Sequence, residues 1–352
     1  MAETQEEEQG YNNAIAKAKK NLIYFGIFGI VMFFAGLSSA YIVLLGDTFW
    51  VSFRWPVEFW ISTVILIASS ATIALALKAA KSDNKKALKL HLGITLFLGL
   101  MFTFFQVKGY QKLTEGGNYF VSNIIVVEGK YDDYFYYTYQ DEKIEFDGYD
   151  YTINGEKISE EQLKDIQDLS GEIFQFLRGK QSSIPDTYGK EYMIFYENQP
   201  VTFSNDKFSI GDSLIGRDDR IRMEYFVMNL NKGFGDFYIK GRYGEDFELN
   251  YRGIQLEYKD RQLQSEGKKL SVGLMNKLVD TRNLASTFLY MLSALHILHL
   301  LGGLIYLIVL FRKSLNNSIN SNNIVGLKNG AIYWHFLDLL WIYLILFLNF
   351  IH

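Results

Sequence analysis

The sequence predicts an all-α polytopic membrane bundle of five transmembrane helices that carries an inserted extramembrane α+β domain. Three observations predict it. Five apolar runs, at 22–45, 59–77, 90–107, 284–311 and 331–351, come close to or exceed the ~20 residues that cross a bilayer as a helix. Residues 110–283 contain no such run and hold 31 acidic against 22 basic residues. That same stretch carries strand and turn signals rather than helical apolar periodicity. The chain therefore divides into a tail at 1–21, helices one to three at 22–109, the insertion at 110–283, and helices four and five at 284–352.

Composition narrows the chemistry. The 352 residues are 49% hydrophobic and 21% charged, averages that combine two unlike regions. There is no cysteine, which excludes thiolate catalysis, disulfides, Cys-ligated zinc, iron–sulfur clusters and c-type haem attachment. A net charge of −4 with no basic stripe speaks against a nucleic-acid partner.

Residues 1–20 run from acidic (Glu3, Glu6, Glu7, Glu8) to basic (Lys17, Lys19, Lys20) and predict a mobile or short amphipathic lead-in. The apolar run that follows is too long for a signal-peptide core, so it is the first span. Residues 46–58, with Pro56, form a short loop. Ser62, Thr63, Ala68, Ser69, Ser70 and Ala71 give the second helix small residues that let helix backbones approach closely in lipid. A lysine-rich loop leads to the third helix. In the insertion, aromatic alternation at 131–139 predicts a strand, and Asn154-Gly155 predicts a two-residue hairpin. Ser159 through Gln162 is a capping box that opens a helix to about Arg178. Further strands are expected at 192–196, 220–228, 236–242 and 245–258. Lysine and arginine concentrate in the tail, the 78–89 loop and the 312–328 loop, which five spans place on one side. The positive-inside rule makes that side cytoplasmic and the insertion and C-terminus periplasmic.

The candidate site lies in the closing helix. His335 and Asp338 stand three residues apart, so they project from one face in the middle of an apolar run. Ionisable groups in a span face protein or water rather than lipid. His296 and His299 form a second such pair in the fourth helix, and the other histidines, His91 and His352, also lie in or beside apolar runs. We read His296, His299, His335 and Asp338 as a polar clasp in which Asp338 contacts His296 or His299; the alternative for Asp338 is a proton relay. A haem-b reading would need axial ligands from facing helices, and His299 with His335 is the pair that permits it. Such a chain would be a quinol-linked haem-b protein. Gly303 belongs to a small-residue face suited to helix packing. The insertion has no histidine, nucleophile–base pair or phosphate loop, which argues against an enzymatic appendage. Its Tyr-rich acidic stretch at 131–139 is either an ordinary strand or a dock for a basic partner.

The spanning segments resemble subunit III of haem–copper cytochrome c oxidases, in the shorter five-helix form, with a large insertion between helices three and four. Val31-Met32-Phe33-Phe34 followed by Ala40-Tyr41 matches the family's first motif; Leu98-Gly99, Phe104-Phe105-Gln106 and Tyr110 match its third helix. Ser286-Thr287-Phe288, His296-Ile297-Leu298-His299 and Gly303 match its fourth, and the closing pattern stands nearly intact in Tyr333-Trp334-His335-Phe336-Leu337-Asp338 and Trp341. Two family glutamates are missing, at the positions of Ile30 and Gly109. The resemblance implies a non-catalytic subunit that binds no metal or haem itself, with haem a and copper in partner subunits. It further implies packing on oxidase subunits I and II, bound phospholipid in a bacterial cytoplasmic membrane, and support of stability and proton uptake. Residues 110–283 would dock a neighbouring subunit, a cytochrome c domain or another respiratory complex.

Overall fold

A computed structural model describes residues 2–126, 134–146, 150–181, 183–259 and 262–351, with side chains from Ala14 onward. The chain forms two compact units. One comprises Met1–Asp47, Arg54–Thr114 and Ala285–His352; the other comprises Thr48–Phe53 and Glu115–Leu284.

The first unit is the helical bundle: α1 (Ala2–Leu45), α2 (Val57–Lys81), α3 (Lys85–Glu115), α7 (Leu284–Leu315) and α8 (Val325–Ile351). All five contain windows long and apolar enough to cross a membrane, the first of them over Ala14–Leu45. This is a multi-pass membrane protein. Of the two forms expected for the lead-in, mobile or short amphipathic, the chain takes a helical one: helix starts at Ala2 and runs unbroken into the first span. No glycine–proline break intervenes there, and a continuous backbone hydrogen-bond ladder is the cheapest way to enter lipid. Aromatic rings join α1 to the closing helices. Tyr41 is fully buried, with ring centroids 5.5 Å from Phe288 and 5.1 Å from Phe347. At one end of the bundle the turn after α2 meets the turn after α7, where Ser321 N–H donates to Asp83 at 2.8 Å. That bond holds the Asp83 carboxyl below its ordinary range.

The second unit is an α+β domain. Strand β1 (Phe49–Phe53) comes from the connection between α1 and α2, which the sequence led us to expect as a plain loop. Its five aromatic and small residues pair antiparallel with β10 (Phe247–Tyr251), nearly two hundred residues away, followed by β11 (Ile254–Gln255). A partner so distant leaves no local signature. The main sheet has eight strands in the order β5-β4-β3-β2-β6-β7-β8-β9. These are β2 (Phe135–Tyr139), β3 (Glu142–Phe146), β4 (Tyr151–Ile153), β5 (Glu156–Lys157), β6 (Tyr192–Tyr196), β7 (Gln199–Ser204), β8 (Lys207–Ile210) and β9 (Ser213–Leu214). The Asn154-Gly155 hairpin forms as expected, with both residues at positive φ, 53° and 82°. Residues 131–133 of the expected aromatic strand, and Tyr149 ahead of the hairpin, lie outside the described residues.

Two helices cover the sheet. α4 (Glu160–Leu177) opens on the capping box, Ser159 Oγ accepting from Gln162 N and Gln162 answering the Ser159 backbone. α5 (Arg217–Lys232) occupies the segment expected as a strand at 220–228, and that expectation is corrected. Ile221, Met223 and Tyr225 mimic strand alternation, but the buried residues Met223, Phe226, Val227 and Leu230 fall at helical spacing. Asp218 and Asp219 in the first turn suit the helix dipole, and Gly233, left-handed at φ 65°, ends it. Phe135, Tyr137, Ile166, Ile173, Ile194 and Phe226 are among the residues forming the core between sheet and helices. Burial pushes the Tyr137 and Tyr188 phenols above their usual range, and Tyr192 up to about 12.

The expected strand at 236–242 is also absent; only an isolated bridge, Ile125 to Phe237, forms there. Phe237 instead joins Tyr243, Phe247 and Tyr258 in an aromatic cluster with ring centroids 5.2–5.5 Å apart. The segment at 245–258 resolves into β10, β11 and the start of β12 (Glu257–Lys259), which pairs with β13 (Gln262–Ser265) and then β14 (Lys268–Lys269). A short α6 (Val272–Asp280) closes the domain.

Candidate functional site

Four hydroxyl residues of the bundle, Ser62, Thr63, Ser69 and Ser293, share one hydrogen-bond pattern. Each donates its proton to a carbonyl about one turn back on its own helix. Its oxygen then accepts from a donor on a neighbouring helix. Thr63 donates to Phe59 O (2.7 Å) and accepts from Trp341 Nε1 (2.9 Å). Ser69 donates to Leu66 O (2.7 Å) and accepts from Trp334 Nε1 (2.9 Å). Ser62 donates to Phe59 O and accepts from Gln106 Nε2 (2.8 Å), while Ser293 donates to Leu289 O and accepts from Tyr110 OH (2.8 Å). An indole N–H can only donate, so a hydroxyl whose own proton is committed is its natural partner. In a dry interior the pairing also spares each group the cost of an unmade bond.

These bonds zip α8 antiparallel onto α2: Thr63 with Trp341, Ser69 with Trp334, and Ser70 Oγ with His335 Nδ1 at 2.6 Å. Trp334 also fills the gap between two glycines. A Cβ on Gly99 would meet its ring at 2.9 Å, too close to be accepted without a shift, and one on Gly303 would meet it at 3.3 Å, a tight fit. Gly303 lies against Trp334 and Leu337.

The fourth helix, α7, meets α8 through its histidines, but by backbone contacts. His296 Nε2 lies 3.1 Å from Leu337 O, with its ring against Trp341 (5.2 Å) and Phe102 (5.8 Å). His299 Nδ1 turns back to Leu295 O of its own helix at 2.7 Å, and its main-chain oxygen accepts from Tyr333 OH at 3.2 Å. Phe34 is buried with its ring centroid 6.1 Å from His299, whereas Phe33 is exposed. His91 lies half-buried in α3, and His352 lies outside the described residues.

The expected contact from Asp338 to His296 or His299 is corrected. Asp338 is buried, but the ionisable group beside it is His335, one turn earlier on its own helix, with Oδ2 4.0 Å from Nδ1. The Ser70 hydroxyl approaches the carboxyl as well, but in a loose geometry and without a close hydrogen bond to either oxygen. The reason is geometric: His296 is spent on the carbonyl of Leu337, the residue before Asp338, and His299 on its own helix. Ser70, His335 and Asp338 do not form a nucleophilic triad either, since Ser70 and Asp338 both approach the same ring nitrogen, Nδ1. Among the described residues no three His, Asp or Glu side chains gather as a metal site.

The positions of the two missing family glutamates are also explicable. A Cβ on Gly109 would lie 2.7 Å from the ring of Phe59, which is fully buried, so an aromatic ring occupies the space a glutamate would need. Ile30 is partly exposed on α1.

The hydroxyl row of α2 is what sequence reading missed. Ser62, Thr63, Ser69 and Ser70 were visible as small residues. The signal of their role was the set of matching donors, Gln106, Trp334, His335 and Trp341, in other spans.

Comparison with known proteins bears on the same segment. Residues 280–351 match the family described as cytochrome c oxidase subunit III. The chain is 39% identical over 59 residues to the cytochrome c oxidase subunit 3 of Spodoptera frugiperda, 17% of this chain and 40% of that protein. It is 41% identical over 59 residues to that of Drosophila yakuba and 40% over 63 residues to that of Rhipicephalus sanguineus, covering 22% and 24% of those proteins. The chain thus spans between about a fifth and two fifths of the length of these relatives. Over residues 280–351, its two closing spans, the chain carries the pattern of the cytochrome c oxidase subunit III family.

Proposed function

We propose that this chain is the subunit III component of a cytochrome c oxidase complex. The observation that carries the reading is the closing motif. Trp334, His335 and Trp341 each engage α2, so the residues that match the family are the ones that assemble the bundle. On this reading the chain is not itself the catalyst. Haem a and copper reside in partner subunits, the bundle packs on the haem-bearing subunit with bound phospholipid, and it supports stability and proton uptake there. With glutamate absent at Ile30 and Gly109, proton uptake is supported through assembly and not through those acids. The membrane is a bacterial cytoplasmic one, with the N-terminus cytoplasmic and the insertion periplasmic. The β1–β10 pairing supports the alternation, because it requires the α1–α2 connection and the insertion to share one side. The acidic insertion docks a neighbouring subunit, a cytochrome c domain or another respiratory complex.

Affinity purification in mild detergent tests the reading. Co-purification of a haem-a spectrum with oxygen-reducing activity is expected. A Soret band on the isolated chain, or a complex without haem a, would overturn it. Deleting residues 111–280 is expected to alter salt-dependent cytochrome c kinetics or assembly; leaving both unchanged would remove the docking role.

A further inference from the structure

We infer that the gap between β2 and β3 is a binding site for a free α-amino acid with an apolar side chain. The two strands pair only over Thr138↔Lys143 and Tyr139↔Glu142. Beyond those rungs they part, although each stays paired on its other side, β2 with β6 as far as Phe135 and β3 with β4 as far as Phe146. A cavity of about 270 Å³ opens where the pairing stops. Its walls come from both faces of the sheet. Tyr136, Lys143 and Glu145 belong to the outer face, while Ile144 and the helix residues Ile166 and Phe226 belong to the buried one. The cavity therefore reaches through the sheet, with a polar mouth and an apolar interior. Its volume lies just below the range of pockets for drug-sized ligands and suits a single side chain. At the mouth, Lys143 and Glu145 are exposed and two residues apart, so they leave one face of β3 about 7 Å from each other. Lys143 Nζ rests over the Tyr136 ring, 4.9 Å from its centroid, which keeps the ammonium beside the opening. Among the described residues, neither charge has an ion-pair partner. A ligand with one charge meets a like charge there. A zwitterion meets two opposite ones, its carboxylate at Lys143 and its ammonium at Glu145. An α-amino acid carries that head, and its side chain takes the apolar interior. The inference rests on the inserted domain and on no assignment of the complex.

Equilibrium dialysis of the full chain in lipid nanodiscs against radiolabelled L-phenylalanine tests it. Saturable binding is expected, with a dissociation constant on the order of 0.1 mM. N-acetylphenylalanine lacks the ammonium, phenylalaninamide lacks the carboxylate, and glycine lacks the side chain. Each is expected to bind roughly tenfold more weakly. Lys143→Gln should abolish the preference for phenylalanine over its amide, and Glu145→Gln the preference over its N-acetyl form. Both residues are exposed, so circular dichroism of the variants should match that of the parent. The inference is overturned if neither phenylalanine nor leucine binds saturably up to about 10 mM. Glycine binding as well as phenylalanine would put the ligand outside the cavity, and affinity unchanged in both variants would remove the charged mouth; either result also overturns it. Haem-a absorbance of the purified complex separately reports on the oxidase reading, so either idea can fail without the other.

Discussion

Among the described residues, the bundle buries Ser38, Ser62, Thr63, Ser69, Thr95, Gln106, Ser286, Ser293, His296, Ser314, Asn329 and Asp338, whereas the inserted domain buries only Asn118, Thr138, Ser170, Asn229 and Asn283 as polar residues. The two regions solve different problems. The domain separates an apolar core from water, so burial itself drives its assembly. In a bilayer the outside is as apolar as the inside, and burial distinguishes little between one helix arrangement and another. There the arrangement is specified by hydroxyl-to-indole and hydroxyl-to-amide pairs and by glycines that admit a tryptophan. Truncating an apolar residue should accordingly be costlier in the domain than removing a polar pair is in the bundle.

The largest effect expected is in the domain. Phe135 is fully buried with its ring centroid 5.9 Å from Phe226, and Phe135→Ala should cost about 3–5 kcal/mol of domain stability. Denaturant unfolding followed by near-ultraviolet circular dichroism checks this, and a loss under 1 kcal/mol would dissolve the contrast between the regions. Next is overpacking in the bundle. Gly109→Glu drives a side chain into Phe59 and should cost about 1–3 kcal/mol or more in mixed-micelle unfolding. Adding Phe59→Ala should recover part of that loss. If the double variant is no better than the single, the ring is not what excludes the glutamate.

How far the sequence could be read follows the same division. The five spans were legible because twenty apolar residues have few other uses, and the capping box at Ser159 and the Asn154-Gly155 turn were legible because their partners lie within three residues. β1 was not, because its pairing partner lies far along the chain, and α5 was not, because the alternation of Ile221, Met223 and Tyr225 masks the helical spacing of Met223, Phe226, Val227 and Leu230. In the site, the closing motif marked the right helix but not its partner. The serines that receive Trp334 and His335 are indistinguishable, one at a time, from residues that merely let helices approach.

A smaller effect tests the zipper itself. Trp334→Phe keeps the aromatic filling between Gly99 and Gly303 but removes the N–H that bonds Ser69. The expected cost is about 0.6–1.7 kcal/mol, the range for interhelical hydrogen bonds in membranes. Ser69→Ala should cost a similar amount, and the two together should cost less than their sum. Additive losses would mean that the ring's packing, and not the bond, fastens α8 to α2.

Asp338→Asn is expected to have the smallest effect. The carboxyl is buried and makes no close hydrogen bond, only a loose approach to Ser70 and His335, so an amide of the same shape breaks little, and the change should stay within about 0.5 kcal/mol. Ser70→Ala is the matched control, since it removes the bond that His335 Nδ1 makes and should cost more. Unfolding of both variants in mixed micelles, against the parent chain, decides the order. If Asp338→Asn proves the costlier, the 4.0 Å approach to His335 Nδ1 is an energetic contact, and the polar clasp closes within α8 itself, between residues one turn apart.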